Sequence, residues 1–317
     1  MIIAVELRRS GIVGDFLKAF AQTASRLGYE VSRNPKALAS RKDAISVVWN
    51  GRNHRSAGPT LYCEHGWLPR WEYQISHQGI NADSNFAPFQ WDGKPLTQLQ
   101  KEKLKQHTDK IRYIGPENRE SMQTNLDTVR DLPDNFILVP IQMQLDTNIQ
   151  RHVPPRFQHM QAFLDYVSQS SPPYPIIFKQ HPSDSRRGNQ QLRLRLRRKQ
   201  DMIRPHNAGN IHQILKSGCC KGIIALNSNV VHDGLVWDVP AIVLGKNIWP
   251  RSGKSPFLNH LPQDWEELFN FFAKSENQMC REAYMYFLME IQWKFEDIQD
   301  DKKVDTLLKS VTNLDYS

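Results

Sequence analysis

The chain holds 317 residues, 39% hydrophobic and 23% charged, enough for two ordinary domains, and no apolar run nears the ~20 residues of a membrane-spanning helix, which excludes a transmembrane segment. Its four cysteines, Cys63, Cys219, Cys220 and Cys280, show no C-x-x-C spacing, which argues against a zinc site or a disulfide framework and for a reduced, cytoplasmic setting. A formal net charge of +8 and a pI near 9.3 favour an anionic partner, whether a nucleotide, a nucleic acid, an acidic glycan or a membrane surface.

Ile2–Leu7 reads as a buried strand, too short and too soon charged for a secretory signal. Gly11 and Gly14 lead into a helical stripe of Phe16, Ala19, Phe20, Thr23, Ala24 and Leu27, closed by Gly28. Gly11-x-x-Gly14 after a strand hints at a phosphate loop, but without G-x-G-x-x-G it is expected to be a tight turn and an acceptor-side loop. Strands follow at Ala44–Trp49 and Thr60–Cys63. This strand–helix–strand order predicts a Rossmann-like sheet.

From Glu64 through Gly66, Trp67, Pro69 and Arg70 to Ser84 the chain is rich in aromatic and polar groups and poor in periodicity. Long ordered loops at strand ends tend to carry function. Glu64 stands where a carboxylate serves as acid or base; capping the turn or pairing with Arg70 is an equal reading. Leu96–His107 reads as a lysine-rich, solvated helix and Gly115–Asp134 as a connection. The domain boundary is expected near Leu132-Pro133-Asp134.

The second half opens with a strand at Phe136–Ile141, followed by Gln142-Met143-Gln144-Leu145-Asp146 and a helix around Phe163 and Val167. In Pro175–Pro182, three apolar β-formers run into Lys179, His181 and Pro182. Lys179 and His181 are two apart, so on an extended chain they point the same way. They form either an anion clamp suited to a phosphate or a snorkelling lysine beside a structural histidine. Arg186–Lys199 carries six arginines and no aromatic residue, a basic run able to meet phosphates without base stacking, or simply an exposed charged face. A short helix at Ile211–Leu215 and a strand at Gly222–Leu226 come next. Asn227-Ser228-Asn229 then stands ready to cap a helix at Val230–Trp237, whose N-terminus suits a phosphate. A strand at Pro240–Leu244 and aromatic-rich helices around Asp264–Ala273 and Glu276–Phe295 follow; Asp300–Ser317 is expected to be only partly ordered apart from a short helix. The polar groups after Ile141, Phe178 and Leu226 all follow strands, so in a parallel sheet they line one crevice.

Taken in order, Glu64-His65-Gly66-Trp67-Leu68-Pro69, Val139-Pro140-Ile141-Gln142 with Asp146, Lys179-Gln180-His181-Pro182, Asn227-Ser228-Asn229 and Asp238-Val239-Pro240-Ala241-Ile242-Val243-Leu244-Gly245 resemble the capsule polysaccharide biosynthesis glycosyltransferases, the group that includes the bacterial β-Kdo transferases. The resemblance spans roughly residues 60–250. It implies an α/β, GT-B architecture with two Rossmann-like domains whose parallel sheets face a central cleft. The expected division is an acceptor-side domain over 1–132, a nucleotide-sugar-binding domain over 133–260, and C-terminal helices over 261–317 crossing back. It also implies a metal-independent glycosyltransferase with no cofactor beyond its nucleotide-sugar co-substrate, CMP- or UDP-linked.

On the same analogy Asp146 is the leading catalytic carboxylate, the nucleophile in the retaining Kdo enzymes, and Glu64 the acid/base. Lys179, His181, Gln142, Asn227, Ser228 and Asn229 hold the donor, while His65, Trp67 and Arg70 face the acceptor. His232-Asp233-Gly234 departs from the family pattern, and His232 reads as a helix-face histidine. The acceptor is expected to be a bacterial surface glycan, handled in the cytoplasm or at the inner membrane surface. The basic charge supports a second acceptor, hydroxymethylated bases of phage DNA in a host cytoplasm, and a third possibility is a non-catalytic nucleic-acid-binding protein.

Overall fold

The computed structural model describes residues 1–7, 11–51, 54–86, 88–115, 132–179, 181, 203–206, 210–250 and 253–312. The Arg186–Lys199 run and most of the Gly115–Asp134 connection lie outside these described residues. The chain forms two compact units, Met1–Ala87 with Glu290–Ser317 and Pro88–Met289.

The first unit opens with β1 (Ile2–Val5), α1 (Gly11–Arg26), β2 (Glu30–Ser32), β3 (Ala44–Trp49), β4 (Thr60–His65) and β5 (Tyr73–Ser76), in sheet order β2-β1-β3-β4-β5. β1 to β4 are parallel, and β5 closes the edge antiparallel to β4. Strands β1 and β3 are buried at every residue, as a sheet covered on both faces requires, and so read as unbroken apolar runs. Gly11 opens α1 with φ of +67°, while Gly14 lies inside the helix on its buried face with Leu17, Ala21 and Ala24.

The second unit holds α2 (Gln98–Ile114), β6 (Phe136–Pro140), α3 (Thr147–His152), α4 (Met160–Ser168), β7 (Ile176–Lys179), β8 (Ile203–His206), α5 (Ile211–Lys216), β9 (Cys220–Ala225), α6 (Val230–Val236), β10 (Ala241–Val243), α7 (Glu266–Ala273) and most of α8 (Ser275–Ile291). Its sheet is parallel throughout, in the order β10-β9-β6-β7-β8. A Thr97–Gln100 capping box starts α2, satisfying free N–H groups at its first turn. This helix is more than a solvated face: it buries Leu104, Thr108 and Ile111, and Arg112 donates to Val236 O and Asp238 at 2.7 and 2.9 Å. It belongs to the second unit, so the Leu132–Asp134 stretch lies inside that unit.

The chain rejoins the first unit within α8 and adds α9 (Phe295–Gln299) and α10 (Asp301–Thr312). Both pack on α1, with Thr23 Oγ1 donating to Ile298 O at 2.8 Å and Arg26 pairing with Asp301 at 2.7 Å. The short helix expected within Asp300–Ser317 is present and runs longer than expected, over twelve residues to Thr312. Val304, Leu308 and Val311, spaced by four and three, make one apolar stripe, and all three are buried in the first unit's core beside Phe16 and Phe20.

Candidate functional site

In the second sheet β6 lies between β7 and β9, so the chain turns one way after β6 and the other way after β9. Such a reversal opens a crevice beyond the C-terminal ends of the two strands, where open α/β sheets bind ligands. Gln142 stands two residues past β6 and Asn227 two past β9. They close on each other across this point: Gln142 Nε2 donates to Asn227 Oδ1 at 2.8 Å, and Asn227 N donates to Gln142 Oε1 at 3.2 Å.

Asp146 sits at the same edge as the N-cap of α3. Its Oδ1 accepts from Asn148 N at 2.8 Å and from Asn148 Nδ2 at 3.1 Å. Both contacts fall on one oxygen, so Oδ2 has no partner among the described residues. Ser228 Oγ accepts from Val230 N at 3.3 Å, as a cap would. Asn229, by contrast, holds helical backbone angles and does not cap α6; its Oδ1 accepts from Asn247 Nδ2 at 2.9 Å.

Lys179 ends β7, next to Pro140 of β6. Its side chain is 4% exposed, and burial lowers its pKa from 10.5 to about 8, because an apolar surrounding disfavours the charged form. Among the described residues nothing pairs with its ammonium. His181 follows two residues later and is half-buried. The second unit thus brings Gln142, Asp146, Lys179, His181, Asn227, Ser228 and Asn229 to one sheet edge. Sequence reasoning missed Asn148 and Asn247, whose roles rest on partners about 80 and 20 positions away.

His232 and Asp233 are core residues. His232 Nε2 lies 2.9 Å from the buried Tyr284 hydroxyl, and Asp233 meets His212 Nε2 at 3.3 Å. Trp237 Nε1 donates to His212 Nδ1 at 3.0 Å. An indole N–H can only donate, so the His212 proton sits on Nε2, facing Asp233. The departure from the family pattern at this helix is a packing feature of the interior.

In the first unit the Glu64–Arg70 loop is organised by a residue far away in sequence. Gln292 Oε1 accepts from Trp67 N and from Leu68 N (2.6 Å), and its Nε2 donates to Leu68 O and to Glu72 Oε2 (3.0 Å). A Cβ at Gly66 would meet Pro69 O at 2.6 Å and Gln292 Oε1 at 2.8 Å, so only glycine admits this approach. The Leu68–Pro69 peptide bond is cis. Trp67 is fully buried, edge-on to Phe86 at 5.5 Å between ring centroids; it holds the loop and offers no surface to an acceptor. His65 packs edge-on against Trp49 at 5.0 Å. Burial, with Arg70 nearby, brings its pKa down to about 4, so the ring is neutral near pH 7. Glu64 is buried, and its Oε1 accepts from His65 N at 2.8 Å; Arg70 is half-buried. Replacing Gln292 by alanine is expected to lower unfolding stability by about 3 kcal/mol or more in a urea titration, since each buried group left unpaired costs ~1–3 kcal/mol. Unchanged stability would show that the loop holds itself.

Among the described residues no cluster of three or more His, Cys, Asp or Glu side chains is placed to hold a metal ion.

A family model described as capsule polysaccharide biosynthesis protein matches residues 95–292. No curated protein matches the chain. Among solved structures the chain is similar to two from Thermosulfurimonas dismutans KpsC. For the β-Kdo 2,7 transferase the TM-score is 0.51 at 14% identity, covering 89% of each chain. For the β-Kdo 2,4 transferase it is 0.51 at 16% identity, covering 89% of this chain and 90% of that one. At such identity the likeness establishes the fold, a GT-B-like α/β architecture with two sheets.

Proposed function

The chain belongs to the capsule polysaccharide biosynthesis protein family, and from that premise we propose that it is a glycosyltransferase moving a sugar from a CMP- or UDP-linked donor to a hydroxyl of a bacterial surface glycan. The observation that carries the reading is Lys179, a 4% exposed cation without an acidic partner among the described residues, at the ligand edge of a parallel sheet. A buried charge needs a counter-charge, and a donor phosphate supplies one.

In this reading Lys179 and His181 meet the phosphate whose negative charge grows as the glycosidic bond breaks. Charges fixed beforehand stabilise it without rearrangement. Asp146, one oxygen held by Asn148 and the other open, attacks or steadies the anomeric carbon, which develops oxocarbenium character. If it attacks, the Oδ2–carbon bond forms as the carbon–phosphate oxygen bond breaks, and the electron pair leaves with the nucleotide. Glu64 is assigned the acid/base role toward the acceptor hydroxyl, with His65 and Arg70 beside it as acceptor contacts.

The proposed setting is the cytoplasmic side of the inner membrane; no helix among the described residues is long and apolar enough to cross a membrane. The DNA-acceptor alternative rests on net charge and on an arginine run outside the described residues, and no described contact favours it. The non-catalytic, nucleic-acid-binding reading also brings a phosphate to Lys179, but it gives no role to Asp146, whose carboxylate keeps one oxygen without a partner among the described residues.

A thermal-shift screen with CMP-, UDP-, GDP- and dTDP-linked sugars tests the proposal. A true donor stabilises the folded state by about 2.7 kcal/mol at a hundred times its Kd, which raises the melting temperature by several degrees. The expected responder is a CMP- or UDP-linked compound; four flat responses would sink the reading.

A further inference from the structure

Asn227 is spent almost entirely inside the protein. Its N and Oδ1 bond Gln142, its O accepts from Asn247 Nδ2 at 3.0 Å, and its Nδ2 donates to Asn148 O at 2.9 Å. Asn148 in turn gives both its backbone N–H and its side-chain amide to Asp146 Oδ1. An unbroken hydrogen-bond chain therefore runs from the loop after β10, through the loop after β9, to the carboxylate after β6.

The far end of this chain is anchored too. Asn247 Oδ1 accepts from Ile248 N at 2.8 Å, and its Nδ2 reaches Asn229 Oδ1 as well as Asn227 O. Two residues earlier, Gly245 N donates to Leu226 O, and Lys246 N donates to His152 O at the end of α3, both at 2.7 Å. A Cβ at Gly245 would stand 3.0–3.1 Å from Val153 Cγ1, His152 O and Leu226 O, tighter than neighbouring backbone readily allows. The six-residue α3 is thus clamped at both ends, by Asn227 on its first turn and by Lys246 on its last.

We infer that Asn227, clamped by Asn247 and Gln142, is a positioning residue that sets the carboxylate of Asp146 through Asn148, in place of the donor contact expected from the family resemblance. The inference rests on the proposed catalytic role of Asp146. Through this chain Oδ1 is fixed and Oδ2 is the oxygen left for the sugar. A displacement of about 1 Å at a reacting group can cost ~10²-fold in rate, so loosening Asn148 acts on turnover and not on donor binding.

The experiment is a double-mutant cycle on the full chain, measuring transfer with CMP-Kdo or with whichever nucleotide sugar gave the largest thermal shift. Asn227→Ala is expected to lower kcat by about 10- to 100-fold at unchanged donor KM. In an Asp146→Asn background it should cost nothing further, because coupled residues do not add. Should Asn227→Ala fail to fold, Asn247→Ala, which leaves the Gln142 and Asn148 contacts in place, is expected to give a smaller loss of the same kind. A rise in KM at constant kcat, or losses that add in the double mutant, would overturn the inference and make Asn227 a donor contact or a purely structural residue. Wild-type turnover in Asp146→Asn alone would instead overturn the functional proposal, a result separable from the first.

Discussion

Asp146→Asn is expected to reduce sugar transfer by at least about 10³-fold while leaving the fold and donor binding nearly untouched. The choice of asparagine separates two roles of one side chain. As the N-cap of α3, Asp146 accepts from Asn148 N, and alanine there would cost ~0.5–2 kcal/mol of stability for reasons unrelated to chemistry. Asparagine caps about as well as aspartate, so the unfolding midpoint should hold while the charge and the nucleophilic oxygen are lost. Removing a positioned acid–base group costs ~10²–10⁴-fold and removing a nucleophile more. The check pairs steady-state transfer with donor-induced thermal shift. Loss of the first with retention of the second places Asp146 in the chemistry. Loss of both would make it a binding residue, and loss of neither would leave it a cap.

The parts of this fold that were legible in the sequence are those whose signal is local. β1, β3, β6, β7 and β9 read as apolar runs because both faces of their sheets are covered, and Lys179 at the end of β7 and Asp146 and Asn227 after β6 and β9 could be placed from those runs alone. β5 was not legible. Its alternating Gln74 and Ser76 are buried, with Gln74 bonding His65 O at 2.7 Å and Ser76 serving as an acceptor for Asn85 N at 3.1 Å, so the polar members of the alternation mark no solvent face. A short helix was expected where α10 stands, but its lysines and aspartates masked its length and its place in the core, although its three buried residues keep helical spacing. Gln292 and Asn247 illustrate a deeper limit. Each supports a loop through bonds to main-chain atoms of distant residues, and main-chain atoms are the same whatever the sequence, so no pairing of residue types announces the contact. Asn229 shows the converse: a good capping residue in the capping place was claimed by a stronger partner, Asn247.

Lys179→Met is expected to stabilise the ligand-free protein and to abolish its response to donor. In the unfolded chain the lysine keeps its proton up to about pH 10.5; burial in the folded protein lowers that to about 8. Below pH 8 both states are charged, and the folded protein carries the full cost of a desolvated ammonium, about 3 kcal/mol at ~1.36 kcal/mol per pH unit. Between about pH 8 and 10.5 the folded state sheds the proton first, so the unfolded state binds more protons and stability rises with pH. Above 10.5 the cost is gone. Methionine fills a similar volume without the charge, so its advantage should approach 3 kcal/mol at pH 7 and fade by about pH 10.5. Denaturant titrations at pH 7 and pH 10 measure this directly. Donor affinity should run the opposite way: nearly constant below pH 8 as far as Lys179 is concerned, then weaker by about tenfold per pH unit above it as the free protein loses the charge that meets the phosphate. Lys179→Met should bind donor weakly and lose that alkaline limb. A variant that is no more stable than the parent at pH 7, or that keeps the alkaline limb, would show that the ammonium already has a counter-charge within the protein and that the phosphate sits elsewhere. Stability given up at a ligand site in exchange for binding is a common pattern in enzymes, and here one side chain makes both halves of the exchange measurable.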